Sequence, residues 1–355
     1  MDNNPEIAIS IIVACRNEMR HMGPFLDSLL MQDMDGLAWE AIIADGMSSD
    51  GTRQFLEEYC AQHPRVRVIA NTGKIVSTGL NMAIQAARGD IVLRMDAHTI
   101  YASDYCRRCV ETLLSTGAGN VGGPARTKVE GVVPRAIAAA YHSRFSTGGA
   151  KFHDENYEGW VDTVPYGCWK KETLERIGLF DEALVRNQDD ELNLRLLRAG
   201  DRIWQNPTIL SWYSPRATVS GLFHQYFQYG FWKVMVIRKH RLPGSWRHLV
   251  PAGFAAAIIG LPAADAVAWG AGAPASFKIA LTLWLGLVLS YGLASIIASA
   301  LAARRYGWAT LPWLPWVFAA FHFSYGSGFL IGMLRLMTAP ASEFSNESVF
   351  ARITR

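Results

Sequence analysis

Residues Ile7 to Ala14 (IAISIIVA) form a near-continuous apolar, β-branched run. A run with no polar face reads as a strand covered on both sides, as in a parallel sheet. Three more apolar runs follow, from Trp39 to Ala44, Val66 to Ala70 and Ile91 to Met95. Between them lie stretches that read as helices, ending at Leu30 and Cys60 and covering Thr78 to Arg88. Strands alternating with helices predict an α/β fold with right-handed crossovers. Functional loops then lie at the carboxyl ends of the strands. Asn17, Asp45, Gly73 and Asp96 each fall just after a predicted strand, so they are expected on one rim.

The pattern changes after about residue 245, where charge nearly vanishes. Residues 249–270, 279–303 and 312–334 each exceed the roughly 20 residues needed to cross a bilayer core. Buried helices of a soluble domain are the alternative. Three such spans in a row, with Trp269, Trp308, Trp313 and Trp316 at their ends, favour the bilayer. Asp265, with the glycines and prolines of the first span, also permits a kinked or re-entrant segment there. Basic residues precede the first span (Arg238, Lys239, His240, Arg241, Arg247, His248) and separate the second from the third (Arg304, Arg305). By the positive-inside rule both groups face the cytoplasm, and the tail from Thr338 to Arg355 lies on the other side. The expected organisation is a catalytic domain at 1–215, interfacial helices at 216–248, three transmembrane helices within 249–335, and a tail at 336–355.

Composition narrows the function classes. A net charge of +3 argues against nucleic acid as the main partner. Five cysteines without framework spacing fit a reducing compartment. Cys106-Arg-Arg-Cys109 has a zinc-knuckle gap but no second Cys/His pair nearby. No signal peptide is evident in the first residues. Neither Gly-x-Gly-x-x-Gly after the first strand nor a P-loop pattern occurs, which disfavours both dinucleotide and P-loop folds.

Four constellations carry chemistry. Asp96-Ala-His98 follows the fourth strand; a carboxylate and an imidazole two residues apart suit Mn²⁺ or Mg²⁺ when phosphate oxygens complete the shell. A helix-capping Asp beside a surface His is the alternative. Arg16-Asn17-Glu18 with Asp45 and Asp50 offers an acceptor for the imide N–H of a base, although Asp45-Gly46 also reads as a turn and Asp50 as a helix cap. Asn71-Thr-Gly-Lys74 with Asn81 places a cation after a glycine, where it can meet a phosphate or ribose or remain solvated. Asn187-Gln-Asp-Asp-Glu191 opens a helix with three acids, which the helix dipole favours and which can also include a general base.

These motifs, in this order, resemble family 2 glycosyltransferases of the GT-A fold, in particular the membrane-associated succinoglycan-type branch. The resemblance covers roughly residues 7–245. It implies a Rossmann-like, mostly parallel sheet followed by interfacial and transmembrane helices. It also implies an inverting transfer of one sugar from a nucleotide sugar, with UDP-hexose favoured, to a polyprenyl-diphosphate-linked saccharide. The setting would be exopolysaccharide assembly at the bacterial cytoplasmic membrane. The nucleotide site it implies is Ala14, Arg16, Asn17, Glu18, Asp45, Asp50, Lys74, Asn81 and Asp96, with a divalent cation at Asp96 and His98. Asp189 takes the catalytic-base position, with Asp190 as rival; Gln188 stands where the family commonly has Glu. Gly167 and Trp169 fall on the acceptor side. Gln228-Tyr-Gly-Phe-Trp232 resembles a degenerate Q-x-x-R-W box in which Phe231 replaces Arg, so Gln228 and Trp232 join the acceptor set and single addition is favoured over processive synthesis. Trp232 reads equally as an interfacial anchor. The alternatives are a polyprenyl-phosphate sugar transferase, a processive synthase, and a non-enzymatic nucleotide-sugar sensor.

Overall fold

The structure, a computed structural model, describes residues 7–270 and 274–338. The expected tail beyond residue 338, and residues 1–6 on which the leader expectation rests, lie outside the described residues. The chain divides into two compact units. Among the described residues, the first comprises 7–128 and 151–214, and the second 129–150 and 215–338.

The first unit begins β1 (Ile9–Cys15), α1 (Met19–Leu30), β2 (Trp39–Asp45), α2 (Thr52–Gln62), β3 (Val66–Ala70), α3 (Val76–Ala86), β4 (Ile91–Arg94), β5 (Thr99–Tyr101), α4 (Tyr105–Thr116) and β6 (Asn120–Gly122). Helices α5 (Val132–Tyr141) and α6 (Arg144–Thr147) belong to the second unit. The first unit resumes with β7 (Gly159–Val161), β8 (Cys168–Lys170), α7 (Lys171–Ile177), α8 (Gln188–Arg198), β9 (Ile203–Gln205) and β10 (Ser211–Tyr213). An eight-stranded sheet has the order β3-β2-β1-β4-β8-β6-β9-β7. Strands β1 to β4 pair in parallel, while β8 and β7 run antiparallel to their neighbours. The sheet is therefore mixed and mostly parallel, as expected. A separate antiparallel pair joins β5 to β10.

The apolar run of β1 is double-sided because both faces are covered. Ile9, Ile11 and Val13 pack with Met22, Phe25 and Leu26 of α1, whereas Ile12 packs with Leu80 and Ile84 of α3. Period-2 alternation thus sends apolar side chains into two cores at once. The second face also holds a polar knot. Glu40 is buried and accepts from Ser10 Oγ at 2.9 Å, Arg67 at 2.9 Å and Arg88 at 2.8 Å. Burial alone would raise its pKa, but the hydrogen bonds from Arg88, Ser10 and Arg67 outweigh this and hold it near about 2. Glu40→Ala strands those donors. Because Arg67 and Arg88 are partly exposed, the expected loss is about 2 kcal/mol, below the usual range for breaking a buried pair. A depressed carboxylate stabilises fully above its unfolded pKa of 4.5, and that contribution disappears as pH falls toward about 2. Denaturant unfolding of the detergent-solubilised variant should show the deficit at neutral pH and a shrinking gap below pH 4.5. A pH-independent gap would contradict this account.

The second unit continues with α9 (Val219–His240), α10 (Val250–Gly270), α11 (Pro274–Tyr306) and α12 (Leu314–Thr338). Three apolar segments, Trp246–Val267, Lys278–Tyr306 and Leu314–Thr338, are long and apolar enough to cross a membrane. Many large apolar side chains on the first two face outward, including Ile259, Val267, Leu289, Ile296 and Leu301. Small residues let α9 and α12 touch at backbone distance. A Cβ added to Gly230 would lie 2.0 Å from the Tyr325 carbonyl oxygen, and one on Gly328 would lie 2.1 Å from that of Phe227. Such close approach is how helices associate where burial in lipid gives no hydrophobic gain. His322 of α12 bonds the Tyr291 hydroxyl of α11 at 3.0 Å and the Phe145 carbonyl of α6 at 2.9 Å, so the one imidazole ties three helices.

Candidate active site

The site is built at the carboxyl ends of β1, β2 and β4. The loop after β1 and the loop after β2 grip each other. Asn17 N–H donates to Ser48 Oγ at 2.8 Å, and Asn17 Oδ1 accepts from Ser49 N–H at 2.9 Å. Asn17 adopts a left-handed conformation (φ 56°), which asparagine tolerates better than most residues. Asp45 is buried at the end of β2 and accepts from Ser48 Oγ at 2.5 Å and Ser48 N–H at 3.2 Å. Asp50 accepts from Met19 N–H at 3.1 Å with one oxygen and from Thr52 Oγ1 at 2.6 Å with the other, so it joins the starts of α1 and α2. Loss of water alone would raise its pKa, but the Thr52 and Met19 hydrogen bonds together outweigh this and lower it. Arg16 is exposed beside Gly46, and Ala14 is half-buried on β1.

A third loop joins this rim through Asn71, whose N–H donates to the Asp45 carbonyl at 2.8 Å. Lys74 is exposed on it with φ 61°. Asn81 has a different neighbourhood. Its amide donates to the Phe180 carbonyl (2.9 Å) and Glu182 (2.8 Å) and accepts from Phe180 N–H (2.9 Å). It is buried and moors the approach to α8 against α3.

Arg94, the last residue of β4, is the centre of the arrangement. Its side chain is 6% exposed. Nε and one terminal nitrogen donate to the two oxygens of Asp96 at 2.9 and 3.1 Å, a bidentate fork. The other terminal nitrogen donates to Asp189 Oδ1. Two carboxylates 93 positions apart in sequence therefore share one guanidinium. Burial alone would weaken the basicity of Arg94, and Asp189 and Asp96 more than restore it. Exclusion of water pushes the Asp189 carboxyl upward, Arg94 pulls it back, and the charges of Asp96 and Asp190 push it up again; the net direction is up.

The surroundings fix this trio. Arg94 N–H donates to the Gly167 carbonyl at 3.0 Å. Gly167 has φ 113°, and a Cβ there would lie 2.3 Å from Trp169 Cζ2, so only glycine fits. Asp96 N–H donates to the buried Tyr101 hydroxyl at 2.7 Å. His98 Nδ1 stands 3.4 Å from Glu18 Oε1, linking this loop to the one after β1. Asp189 sits in the first turn of α8, whose acidic start and basic end (Arg195, Arg198) suit the helix dipole. Of the three acids, Glu191 is fully buried and held by Arg195 Nε at 2.8 and 2.9 Å, so it serves structure.

Not all expected residues gather here. Trp169 pairs in register with Val92 and is 1% exposed among Leu174, Phe180 and Leu192. It is a core residue whose ring fills the space beside Gly167. Gln228 and Trp232 lie on α9 in the second unit, where Trp232 is buried rather than exposed at an interface. Burial pushes the Cys15 thiol up to about 12, which removes it as a nucleophile beside the rim.

Among the described residues, no cluster of three or more His, Cys, Asp or Glu side chains is arranged to hold a metal ion. Asp96 and His98 supply one carboxylate and one imidazole. That donor set fits Mn²⁺ or Mg²⁺ only when diphosphate oxygens provide most of the remaining ligands.

Residues 10–170 match the family model described as Glycosyl transferase family 2. The succinoglycan biosynthesis protein ExoA of Rhizobium meliloti (strain 1021) is 33% identical over 284 residues, covering 79% of this chain and 84% of that protein. The chain belongs to glycosyltransferase family 2. A second relative in Methanococcus voltae, named dolichyl N-acetyl-alpha-D-glucosaminyl phosphate 3-beta-D-2,3-diacetamido-2,3-dideoxy-beta-D-glucuronosyltransferase, is 28% identical over 69% of this chain and 78% of its own. Among solved structures, a Pyrobaculum calidifontis mannosyltransferase in complex with GDP-Man and Mn²⁺ has TM-score 0.58 at 19% identity, over 95% of this chain and 90% of that one. It shares the GT-A fold. The protein is thus a glycosyltransferase with a GT-A catalytic fold and, among the described residues, three candidate membrane spans. The family match ends before α8, so Arg94 and Asp96 fall inside it and Asp189 outside. Arg94 is the residue that sequence reasoning missed. Its signal is weak: one charge ending an otherwise apolar strand, two residues before a carboxylate.

Proposed function

We propose that this glycosyltransferase moves one sugar, with inversion, from a nucleotide sugar, a UDP-hexose, to a saccharide carried on polyprenyl diphosphate, in bacterial exopolysaccharide repeat-unit assembly. The observation that carries the proposal is the joining of Asp96 and Asp189 through the one guanidinium of Arg94. Donor-side and acceptor-side chemistry thereby meet. The printed names of the Rhizobium and Methanococcus relatives support a glycan-building role and a lipid-linked acceptor, respectively.

In this scheme the clasped loops after β1 and β2 hold the nucleoside. Asp45 accepts from the base, with Ala14, Arg16, Asn17, Glu18 and Asp50 framing it and Lys74 meeting the ribose or diphosphate. Asp189 takes the proton of the acceptor hydroxyl as it attacks the anomeric carbon from the face opposite the diphosphate. Gly167 borders the acceptor side, and its lack of a side chain leaves room for Trp169 behind it. A divalent cation at Asp96 and His98, with diphosphate oxygens, would neutralise the leaving group's charge. Positioning and charge stabilisation supply most of the acceleration. In this scheme residues 7–128 and 151–214 form the catalytic domain, with 216–248 as the interfacial segment and 249–335 as the anchor. The basic residues before the first span support a cytoplasmic orientation of the catalytic domain at the inner membrane, by the positive-inside rule.

The test is a screen of nucleotide sugars with purified enzyme and a bacterial lipid extract, reading the product by mass. The expected product is a polyprenyl-diphosphate saccharide heavier by one hexose, with release of UDP. A sugar attached directly to polyprenyl phosphate, or a ladder of many additions, would overturn the acceptor or the single-addition assignment.

A further inference from the structure

The guanidinium of Arg94 raises a problem that the proposed chemistry must solve. A divalent cation beside Asp96 attracts any carboxylate within reach, and Asp189 is already within one guanidinium of Asp96. A base captured as a ligand is no longer available to take a proton. We propose that Arg94 is a positioning residue that keeps Asp189 out of the coordination shell and aimed at the acceptor hydroxyl. This inference rests on the assignment of Asp96 to the cation and Asp189 to the acceptor.

Three features support it. The fork geometry is specific: two nitrogens engage both oxygens of Asp96, and the third engages Asp189, so one planar group sets the separation of the two carboxylates. The guanidinium cannot swing away, because it is buried at a strand end whose backbone N–H is bonded to Gly167. The helix bearing Asp189 is itself fixed. Arg195 donates to the carbonyls of Ile177 and Leu179, and Asn193 bonds Asn120 at 3.0 Å and Thr163 at 2.8 Å. With strand and helix both held, only the Asp189 side chain can choose between cation and acceptor, and Arg94 makes that choice. The carboxylate also gains order: the partly buried Asp189 side chain acquires one fixed rotamer.

The variant of choice is Arg94→Lys. It keeps the positive charge, so a change in cation binding does not follow from charge loss alone. One ammonium cannot reproduce the three-donor fork, so Asp189 is released. Two readouts are needed. Mn²⁺ binding in the presence of UDP is measured by electron paramagnetic resonance on the full-length enzyme in detergent. Steady-state transfer gives kcat and the donor KM. For Arg94→Lys the expected results are Mn²⁺ binding about tenfold tighter, kcat down at least about 30-fold and donor KM within about threefold of wild type. The tightening should vanish in the Arg94→Lys/Asp189→Asn double variant when compared with Asp189→Asn alone, because an amide is a poor ligand for these cations. Unchanged Mn²⁺ affinity in Arg94→Lys, or tightening that survives in the double variant, overturns the proposal. If Arg94→Lys does not fold, Arg94→Gln is carried through the same cycle, and only the part of the tightening that Asp189→Asn abolishes counts, because losing the charge tightens cation binding by itself; tightening retained in full in the double variant overturns the proposal. Failure of the underlying assignment looks different: Asp189→Asn alone would then retain near-wild-type transfer.

Discussion

Replacing Asp189 by Asn should reduce transfer by about 10²–10⁴-fold, the usual range for loss of a positioned general base, while UDP-sugar binding stays near wild type. The amide keeps the shape and can still accept from Arg94, so the pocket survives and only proton acceptance is lost. Asp190→Asn, on the next position of the same helix, should cost far less. Inactivity confined to Asp190→Asn would move the base by one residue. The pH profile carries a matching expectation. Exclusion of water, aided by Asp96 and Asp190, lifts the Asp189 carboxyl above the ordinary 3.8 despite Arg94. The base works deprotonated, so the rate should rise with pH through a value above 3.8 and then level off. A rate already flat below that value would argue for a group with an ordinary or depressed pKa.

The second large effect is expected at Asp96. Its side chain is still 18% exposed, and both its oxygens are aligned by Arg94. Asp96→Ala should remove the cation-dependent part of UDP binding and lower transfer by about 10³-fold, because charge stabilisation of the leaving group is the largest single contribution. Calorimetry with UDP, with and without Mn²⁺, checks this. In wild type, Mn²⁺ alone should bind weakly and UDP should tighten it, since the protein supplies only Asp96 and His98. Asp96→Ala binding UDP equally well with and without Mn²⁺ is the expected signature. Wild type that shows no Mn²⁺ effect would remove the cation from the mechanism.

Much of this arrangement was legible in the sequence, for identifiable reasons. Strands β1 and β2 announced themselves because both faces of each are covered, which leaves no polar periodicity to mislead. Asp45, Asp96 and Asp189 drew attention in the sequence because Asp45 ends β2, Asp96 follows β4 by two residues and Asp189 lies in the first turn of α8. Arg94 was not, since its meaning depends on Asp189, 95 residues away, and no local pattern reports such a partner. The β5–β10 pair was missed because three residues are too few for alternation to register. Trp169 was read as an acceptor-side aromatic, but only its register opposite Val92 and contact with Phe180 reveal a core residue. Residues 129–150 posed the same problem. They lie in the middle of the first unit's sequence, yet Ala136, Ile137 and Ala140 of α5 pack with Val317, Phe318 and Phe321 of α12. Their apolar face identifies a buried helix but not the element that buries it.

Donor and acceptor chemistry are expected to meet around Arg94, and one measurement addresses this most directly. A complex with UDP and Mn²⁺, with the metal located by its anomalous scattering, should place the ion beside Asp96 and His98, with Asp189 close by but outside the ligand shell and still bonded to Arg94. An ion bound away from Asp96, or one that includes Asp189 among its ligands, would contradict it.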